Sequence, residues 1–358
     1  MDVDRQRAAQ DRVNPLNTEA LARLQAVMRP GPVLILAHHN PDPDALAAGA
    51  GLAYLLEYAW GIASHKAFSG LVARAENVAM LRHLTPGWIE IESLEDAPKH
   101  TAIALVDSQP GAGNNLLPDE HVPEAVFDHH EPFRPPSGEV AYLDLRPEMG
   151  ATATLIYQHL EVAGLPIPPR LATALFYGIK TDTRGLSRGT APGDEAAYLS
   201  LLANVDRAAL LQVEYAKRPP VFFKGVVEGL ATARVHQSAV VAELDEMHRS
   251  DFAADLADQL IALEGTRGVL CLGRHKGVLQ LSVRTIPMGE DAGLLIQELV
   301  AGLGKGGGHG TIAGGQVVLT GEEPTVIAAE IADRFLTLMG ERETPGKLLI
   351  QSNNAPSG

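Results

Sequence analysis

Val33-Leu34-Ile35-Leu36-Ala37 runs directly into His38-His39-Asn40-Pro41-Asp42-Pro43-Asp44. An aliphatic run without polar interruption reads as a parallel strand buried on both faces. The polar heptad reads as a strand-to-helix turn, because Asp44 opens a long apolar stretch that ends near Tyr58. The same pattern returns twice: Ile103 to Val106 precedes Asp107-Ser108, and Ala125 to Phe127 precedes Asp128-His129-His130. Carboxylates and imidazoles would then gather at the C-terminal edge of one sheet, where open α/β sheets place their ligands. A fourth group, Thr181-Asp182-Thr183, follows the helical pattern Pro169 to Ile179.

Working outward, helices are expected near Thr18 to Met28, Ala151 to Val162 and Asp194 to Ala203, with a further strand near Trp88 to Ile91. Alternation of this kind predicts an α/β fold with a doubly wound, mostly parallel sheet over residues 17–205. Residues 206–220, basic and ending in Pro219-Pro220, read as a connector. Beyond it, a smaller α/β domain is expected over 221–340. Its strands are Ser238 to Leu244, Gly268 to Arg274, Val278 to Arg284 and Gln316 to Leu319, and its helices Asp251 to Leu263, Ala292 to Leu303 and Pro324 to Met339. Between the last two helices lies a glycine-rich turn, Gly304 to Gly315. Residues 1–16 and 341–358 read as flexible ends, with Leu348 to Ile350 a short docking segment.

Composition narrows the function. At 358 residues the chain has room for two domains, since one domain takes about 100–200 residues. The formal net charge of −15 argues against stable binding to duplex DNA, which needs a basic face. A short anionic substrate remains compatible, because bound metal ions supply local positive charge. The single cysteine, Cys271, excludes an intrachain disulfide and fits a reducing compartment. No run of about 18 apolar residues appears, so a soluble cytoplasmic protein with no membrane partner is expected.

The chemistry follows from residue types. His38-x-x-x-Asp42-x-Asp44 offers one imidazole and two carboxylates from a single turn, a donor set for hard divalent cations with some transition-metal character. Two neighbouring ions need a shared carboxylate to offset their repulsion, and Asp107 is the candidate bridge. Consecutive side chains diverge at a strand end, so one of His129 and His130 can bind metal while the other faces substrate. Asp182 would complete the second ion's ligands. Such a pair activates water for in-line attack on a phosphoryl centre.

These motifs, in this order, resemble the DHH phosphoesterase superfamily, named for the triplet seen here as Asp128-His129-His130. His38 to Asp44 resembles its HxxPDxD signature, and Gly178-Ile179-Lys180-Thr181-Asp182-Thr183 its fourth motif. Gly306-Gly307-Gly308-His309 followed by Ala313-Gly314 resembles the signature of its DHH-associated C-terminal domain. The resemblance implies an active site in the cleft between two domains. It assigns His38, Asp42 and Asp107 to one ion, and Asp44, Asp107, His129 and Asp182 to the other; the ions are manganese, with magnesium or cobalt as alternatives. His130 would touch substrate phosphate or the leaving group. The adjacent His39 makes the register ambiguous, and the family spacing favours His38. Arg284, Lys305, Gly306, Gly307, Gly308 and His309 would bind substrate, the glycines through backbone amides and His309 at the start of a helix-like segment.

A two-domain length without further modules is similar to the members that degrade short oligonucleotides and dephosphorylate phosphoadenosine phosphate, and a homodimer is among the expected assemblies of this chain. Cyclic dinucleotide, pyrophosphate and polyphosphate hydrolysis, or a noncatalytic nucleotide-binding role, are the alternatives. One departure concerns the stretch after Asp107. Oligonucleotide-degrading members carry a Ser/Thr-rich stretch with an Arg, whereas this chain has Ser108-Gln109-Pro110-Gly111-Ala112-Gly113-Asn114-Asn115.

Overall fold

The computed structural model of the protein describes residues 16–134, 137–320 and 323–350. The chain divides between Lys217 and Arg218 into two compact units. In the first unit, six strands form one sheet: β1 (Val33–Leu36), β2 (Ser64–Phe68), β3 (Trp88–Glu90), β4 (Ala102–Val106), β5 (Ala125–Asp128) and β6 (Tyr142–Leu145). Their order is β3-β2-β1-β4-β5-β6, and every pairing is parallel. The order reverses between β1 and β4, which makes that edge the topological switch point. Ser64-His65-Lys66 in β2 and Asp144 in β6 break the apolar pattern that marks a buried strand, so these two strands escape the sequence reading.

The helices of this unit are α1 (Thr18–Met28), α2 (Pro43–Trp60), α3 (Ala75–His83), α4 (Thr152–Val162), α5 (Pro169–Asp182), α6 (Pro192–Leu202) and α7 (Arg207–Glu214). Their buried side chains, including Leu24, Leu52, Met80, Ile156, Leu175, Leu201 and Val213, join one cluster over Val33, Ile35, Ala104, Val106 and Phe127. The alternate strand residues Leu34, Leu36, Ile103, Leu105 and Val126 face a smaller cluster, closed by Ile91, Leu94, Leu116, Leu117 and Val140. Right-handed crossovers require the two halves of the sheet to cross on opposite faces. The half from β4 to β6 crosses by loops. The doubly wound sheet therefore carries helices on one face and loops on the other.

Much of the expected connector 206–220 is α7. Asp206 caps it by accepting from the Ala208 and Ala209 amides, and Val213 is buried in the core. The second unit comprises α8 (Pro220–Thr232), β7 (Arg234–His236), β8 (Ala239–Glu246), α9 (Phe252–Leu260), β9 (Gly268–His275) and β10 (Val278–Thr285), followed by α10 (Ala292–Leu299), β11 (Lys305–His309), β12 (Ile312–Val318), α11 (Pro324–Leu338) and β13 (Lys347–Leu348). Its sheet runs β11-β12-β10-β9-β8-β7-β13, and only β8 and β9 pair in parallel among the described residues. Helices α10 and α11 cover one face, α8 and α9 the other.

Two expectations are corrected here. Gly304 to Gly315 is not a turn leading to a helix-like segment: Lys305–His309 is a strand paired antiparallel with Ile312–Val318. Glycine has low strand propensity and so hides the hairpin, but close packing demands it. A Cβ on Gly308 would lie 2.4 Å from the Ile312 carbonyl oxygen, and one on Gly306 would lie 2.9 Å from Ile296. The end expected to be flexible is corrected in part: the docking expected at Leu348 to Ile350 takes the form of a strand, Lys347–Leu348, on β7. Residues 1–15 and 351–358 lie outside the described residues. No described helix is long and apolar enough to cross a membrane.

Gly178 of α5 brings the fold to the site. An added Cβ would lie 3.1 Å from the Ala47 Cβ and 3.2 Å from both the Asp44 Cα and the Pro43 carbonyl oxygen. Gly178→Val is expected to lose about 1–3 kcal/mol of stability through overpacking. Urea unfolding measures this, and an unchanged midpoint would mean that α5 does not bear on the start of α2.

Candidate active site

Three loops at the carboxyl edge of the first sheet and the end of α5 supply the expected residues. After β1, Asp42 caps α2, its Oδ1 accepting from the Asp44 and Ala45 amides at 2.9 and 3.0 Å. Asp44, on the first turn of α2, is fully buried. Its two oxygens accept from the Thr152 and Ala153 amides at 2.7 and 2.8 Å, at the start of α4. The helix N-terminus offers donors and a positive dipole end, which offsets the burial of a carboxylate.

Asp107 follows β4 with φ of 56°, a left-handed conformation that costs about 1–3 kcal/mol for a non-glycine residue. This backbone re-aims a carboxylate that simple strand alternation would not aim there. Its Oδ1 accepts from the Thr152 hydroxyl at 2.8 Å and lies 3.6 Å from His129 Nε2. Its Oδ2 lies 3.5 Å from His38 Nε2.

The adjacent His38 and His39 face different partners. His38 Nε2 faces Asp42 and Asp107, whereas His39 Nδ1 pairs with the Ser69 hydroxyl. His129 Nδ1 donates to the Met149 carbonyl at 3.0 Å. That bond leaves Nε2 facing Asp182 at 3.1 Å, Asp107 at 3.6 Å and Asp44 at 4.0 Å. His130 turns the other way, its Nδ1 bonded to Asp128 Oδ1 at 2.8 Å.

Charge sets the proton inventory. Burial alone would hold the His38 and His129 imidazoles neutral. The bonded and nearby carboxylates outweigh it and raise both pKa values well above the ordinary range: Asp107 and Asp42 for His38, and Asp182, Asp107 and Asp44 for His129. Burial likewise opposes ionisation of Asp107, but the His38 hydrogen bond and the charges of the three imidazoles hold its carboxyl well below the usual range. Asp44 goes the opposite way, pushed well up by burial and then by Asp107 and Asp182.

Among the described residues, three groups of side chains have ligand atoms close enough to hold a cation: His38, Asp42 and Asp107; Asp44, His129 and Asp182; and Asp107, His129 and His130. The buried His129 Nε2 faces three carboxylates, with Asp182 the nearest, a position from which a cation could be shared. Arg188 completes the rim, donating to the Asp182 carbonyl at 2.8 Å with its guanidinium 3.9 Å from Asp182 Oδ1.

The remaining expected residues belong to the second unit. Lys305 is exposed, and Gly306 to His309 form the rest of β11. Arg284, expected to bind substrate phosphate, is 3% exposed and committed internally. Its Nε donates to Asp258 Oδ1 at 2.5 Å, and Nη1 to the Ser282 hydroxyl and the Val283 carbonyl. On β10 it faces α9, not solvent, which corrects that expectation.

Sequence reasoning missed the supports. Thr152 and Met149 bind the site directly, and buried Asp194 holds their turn by accepting from the Gly150 and Ala191 amides and the Thr154 hydroxyl. The signal available was the small-residue run Gly150-Ala151-Thr152-Ala153-Thr154 before a helix, which reads only as a helix start. Gln109 was also missed as a support.

A doubly wound sheet with aspartates and histidines converging at its switch point defines a protein built around a candidate cation-binding centre. Residues 32–179 match the DHH family, N-terminal domain, so the first unit carries a domain of that family. It is 32% identical over 295 residues to an uncharacterized protein of Methanocaldococcus jannaschii, covering 80% of this chain and 58% of that one. A probable manganese-dependent inorganic pyrophosphatase of Streptococcus agalactiae is 25% identical over 176 residues, 48% of this chain and 55% of that one. This chain thus spans little more than half the length of either relative. A bifunctional oligoribonuclease and PAP phosphatase of Thermus thermophilus is 26% identical over 292 residues, 79% of this chain and 83% of that one. In fold, an exopolyphosphatase-related protein from Bacteroides fragilis matches with a TM-score of 0.68 at 15% identity, covering 90% of this chain and 98% of that one.

Asp194→Ala would strand two backbone amides and a hydroxyl beneath the site. A loss of at least about 2 kcal/mol is expected, because each unsatisfied buried donor costs roughly 1–3 kcal/mol. Urea unfolding of the metal-free variant measures it, and parental stability would mean that the 149–154 turn stands without Asp194.

Proposed function

We propose that this chain is a divalent-metal-dependent phosphoesterase acting on short oligonucleotides, dinucleotides or nucleotide phosphates. Asp107 carries the reading: one of its oxygens faces His38 and the other His129, members of two different ligand groups. His38, Asp42 and Asp107 would hold one ion, and Asp44, Asp107, His129 and Asp182 the other. Manganese suits this mixture of carboxylate and imidazole. The ions supply Lewis acidity, lowering the pKa of a water and offsetting phosphoryl charge.

The side chains do the rest. His129, fixed through Nδ1, presents Nε2 as a ligand. His130, held through Nδ1 by Asp128, offers its other ring nitrogen to a phosphate oxygen or leaving group. Arg188 adds a guanidinium for phosphate. In the second unit Lys305, Gly307 and His309 are proposed to meet substrate. Gly307 supports this: a Cβ there would have no atom within 4 Å, so packing does not require glycine. Close approach of a ligand to the backbone would. The single cysteine is buried and unpaired, and a cytoplasmic location is proposed on that ground.

Similarity to the oligoribonuclease and PAP phosphatase extends along 79% of this chain, against 48% for the pyrophosphatase. This supports a nucleotide substrate over pyrophosphate. Manganese-supplemented hydrolysis of pApA, phosphoadenosine phosphate, cyclic di-AMP and pyrophosphate tests it. A linear nucleotide is expected to lead by at least about tenfold in kcat/KM, and a lead for pyrophosphate would overturn the substrate class. Asp107→Asn is expected to lower turnover at least about 100-fold, roughly 2.7 kcal/mol of transition-state stabilisation, with circular dichroism unchanged.

The glycines divide in the same assay. Gly308→Ala should lose about 1–3 kcal/mol of stability from overpacking. Gly307→Ala should keep parental stability and lose pApA hydrolysis; equal activity would remove β11 from the substrate site.

Metal binding should also expel protons. His38 and His129 have raised pKa values in the metal-free protein, so near neutral pH they carry protons that a ligand imidazole cannot keep. Manganese affinity should therefore rise with pH as these protons are lost. Calorimetry in two buffers of different ionisation enthalpy measures the release, and identical heats would contradict it.

A further inference from the structure

We propose that Gln109 is a positioning residue that acts through Asp128 on His130; this rests on the phosphoesterase reading, which gives His130 its task. Gln109 lies in the loop after β4 and is 4% exposed. Its amide nitrogen donates to Asp128 Oδ2 and to the His130 carbonyl, both at 2.8 Å. Its amide oxygen accepts from the Arg134 backbone at 2.7 Å. One planar group thus stitches the loop after β4 to the turn after β5.

Each contact bears on His130. Asp128 is fully buried, and its Oδ1 is the hydrogen-bond partner of His130 Nδ1 at 2.8 Å. Asp107 Oδ1 lies 3.6 Å from the same nitrogen and is the competing carboxylate. With Gln109 in place, Asp128 Oδ2 is satisfied and the His130 backbone is anchored, so the ring stays on Asp128. Without it, Asp128 Oδ2 loses the amide that fixes the carboxylate's orientation and the His130 backbone loses its anchor, so the ring is freer to turn toward Asp107.

Residue type supports the assignment. A primary amide combines two N–H donors and an acceptor without charge. A glutamate would set a carboxylate against Asp128, and a lysine could not accept from Arg134. The surrounding residues hold Gln109 in place: the Ser108 hydroxyl donates to Asn114 Oδ1, and the Asn115 amide donates to the Ser108 hydroxyl and to the Gln109 carbonyl. The loop thus has its own hydrogen-bonded frame, with Gln109 at the end that meets Asp128.

The test combines kinetics with a structure of the manganese-loaded full chain. Gln109→Leu is expected to lower kcat for pApA at least about tenfold, the usual scale for outer-shell partners, with KM and manganese content unchanged. In a double-mutant cycle the loss should vanish in the His130→Ala background, because both changes remove one function. A crystal structure of Gln109→Leu should show the His130 to Asp128 bond lengthened beyond about 3.5 Å. An equal loss in both backgrounds, or a bond that persists, overturns the proposal. Should the leucine variant not fold, Gln109→Glu keeps the shape and the Arg134 acceptor and takes its place in every measurement. A parent that hydrolyses neither pApA nor any other substrate of the panel defeats the phosphoesterase reading, and the structural comparison still decides whether Gln109 sets the His130 geometry.

Discussion

The buried carboxylate of Asp44 on the first two amides of α4 is the interaction on which the site depends. A carboxylate with no solvent contact is strongly disfavoured unless its oxygens are bonded and its charge is offset. Here two backbone donors satisfy the oxygens, and the helix N-terminus opposes the rise in pKa from burial, Asp107 and Asp182 without outweighing it. The bond joins residues more than a hundred positions apart in sequence and seats the start of α2 against the start of α4. Two further contacts depend on that seating: the Thr152 hydroxyl on Asp107 and the Met149 carbonyl on His129. Gly178 permits the same closeness from α5, whose last residue is Asp182.

Bringing Asp42, Asp44, Asp107, Asp128 and Asp182 together opposes folding by mutual repulsion. In the metal-free chain His38 and His129 moderate it by retaining protons. The Nε2 atoms of both rings face the carboxylates, so a proton there and a shared cation would compete. The same geometry therefore favours protons at low pH and cations when they are available, which is the linkage expected of a preformed ligand set.

Much of this was legible in the sequence, because the strands that carry the site are uninterrupted apolar runs and their polar ends follow at once. Strands β2 and β6 were not, since Lys66 and Asp144 hide them, and the β11–β12 hairpin was hidden by glycines whose reason is packing against Ile296 and Ala313. Choosing His38 over His39 needed the position of Ser69, thirty residues on. Arg284 shows a different limit. Strand alternation says that it lies opposite Leu281 and Val283, but only the placement of α9 reveals Asp258 beneath it. Thr152, Asp194 and Gln109 act through pairings between distant loops, and no local pattern encodes those.

Strand alternation also explains why the triplet at the end of β5 divides its work. Ala125 and Phe127 point to the helix-covered face, and Val126 to the loop-covered face. Continuing that rhythm, His129 falls on the helix side, where α2, α4 and α5 bring Asp44, the Met149 carbonyl and Asp182. Asp128 and His130 fall on the loop side, bonded to each other and to Gln109. The two histidines are adjacent in sequence yet sample different surroundings, one lined with carboxylates and one half-exposed beside a single oriented carboxylate. An imidazole among carboxylates is suited to sharing a cation, whereas one held by a single bonded carboxylate is suited to handling a proton. The order of residues at one strand end, together with which face the crossovers leave to loops, is enough to separate these tasks.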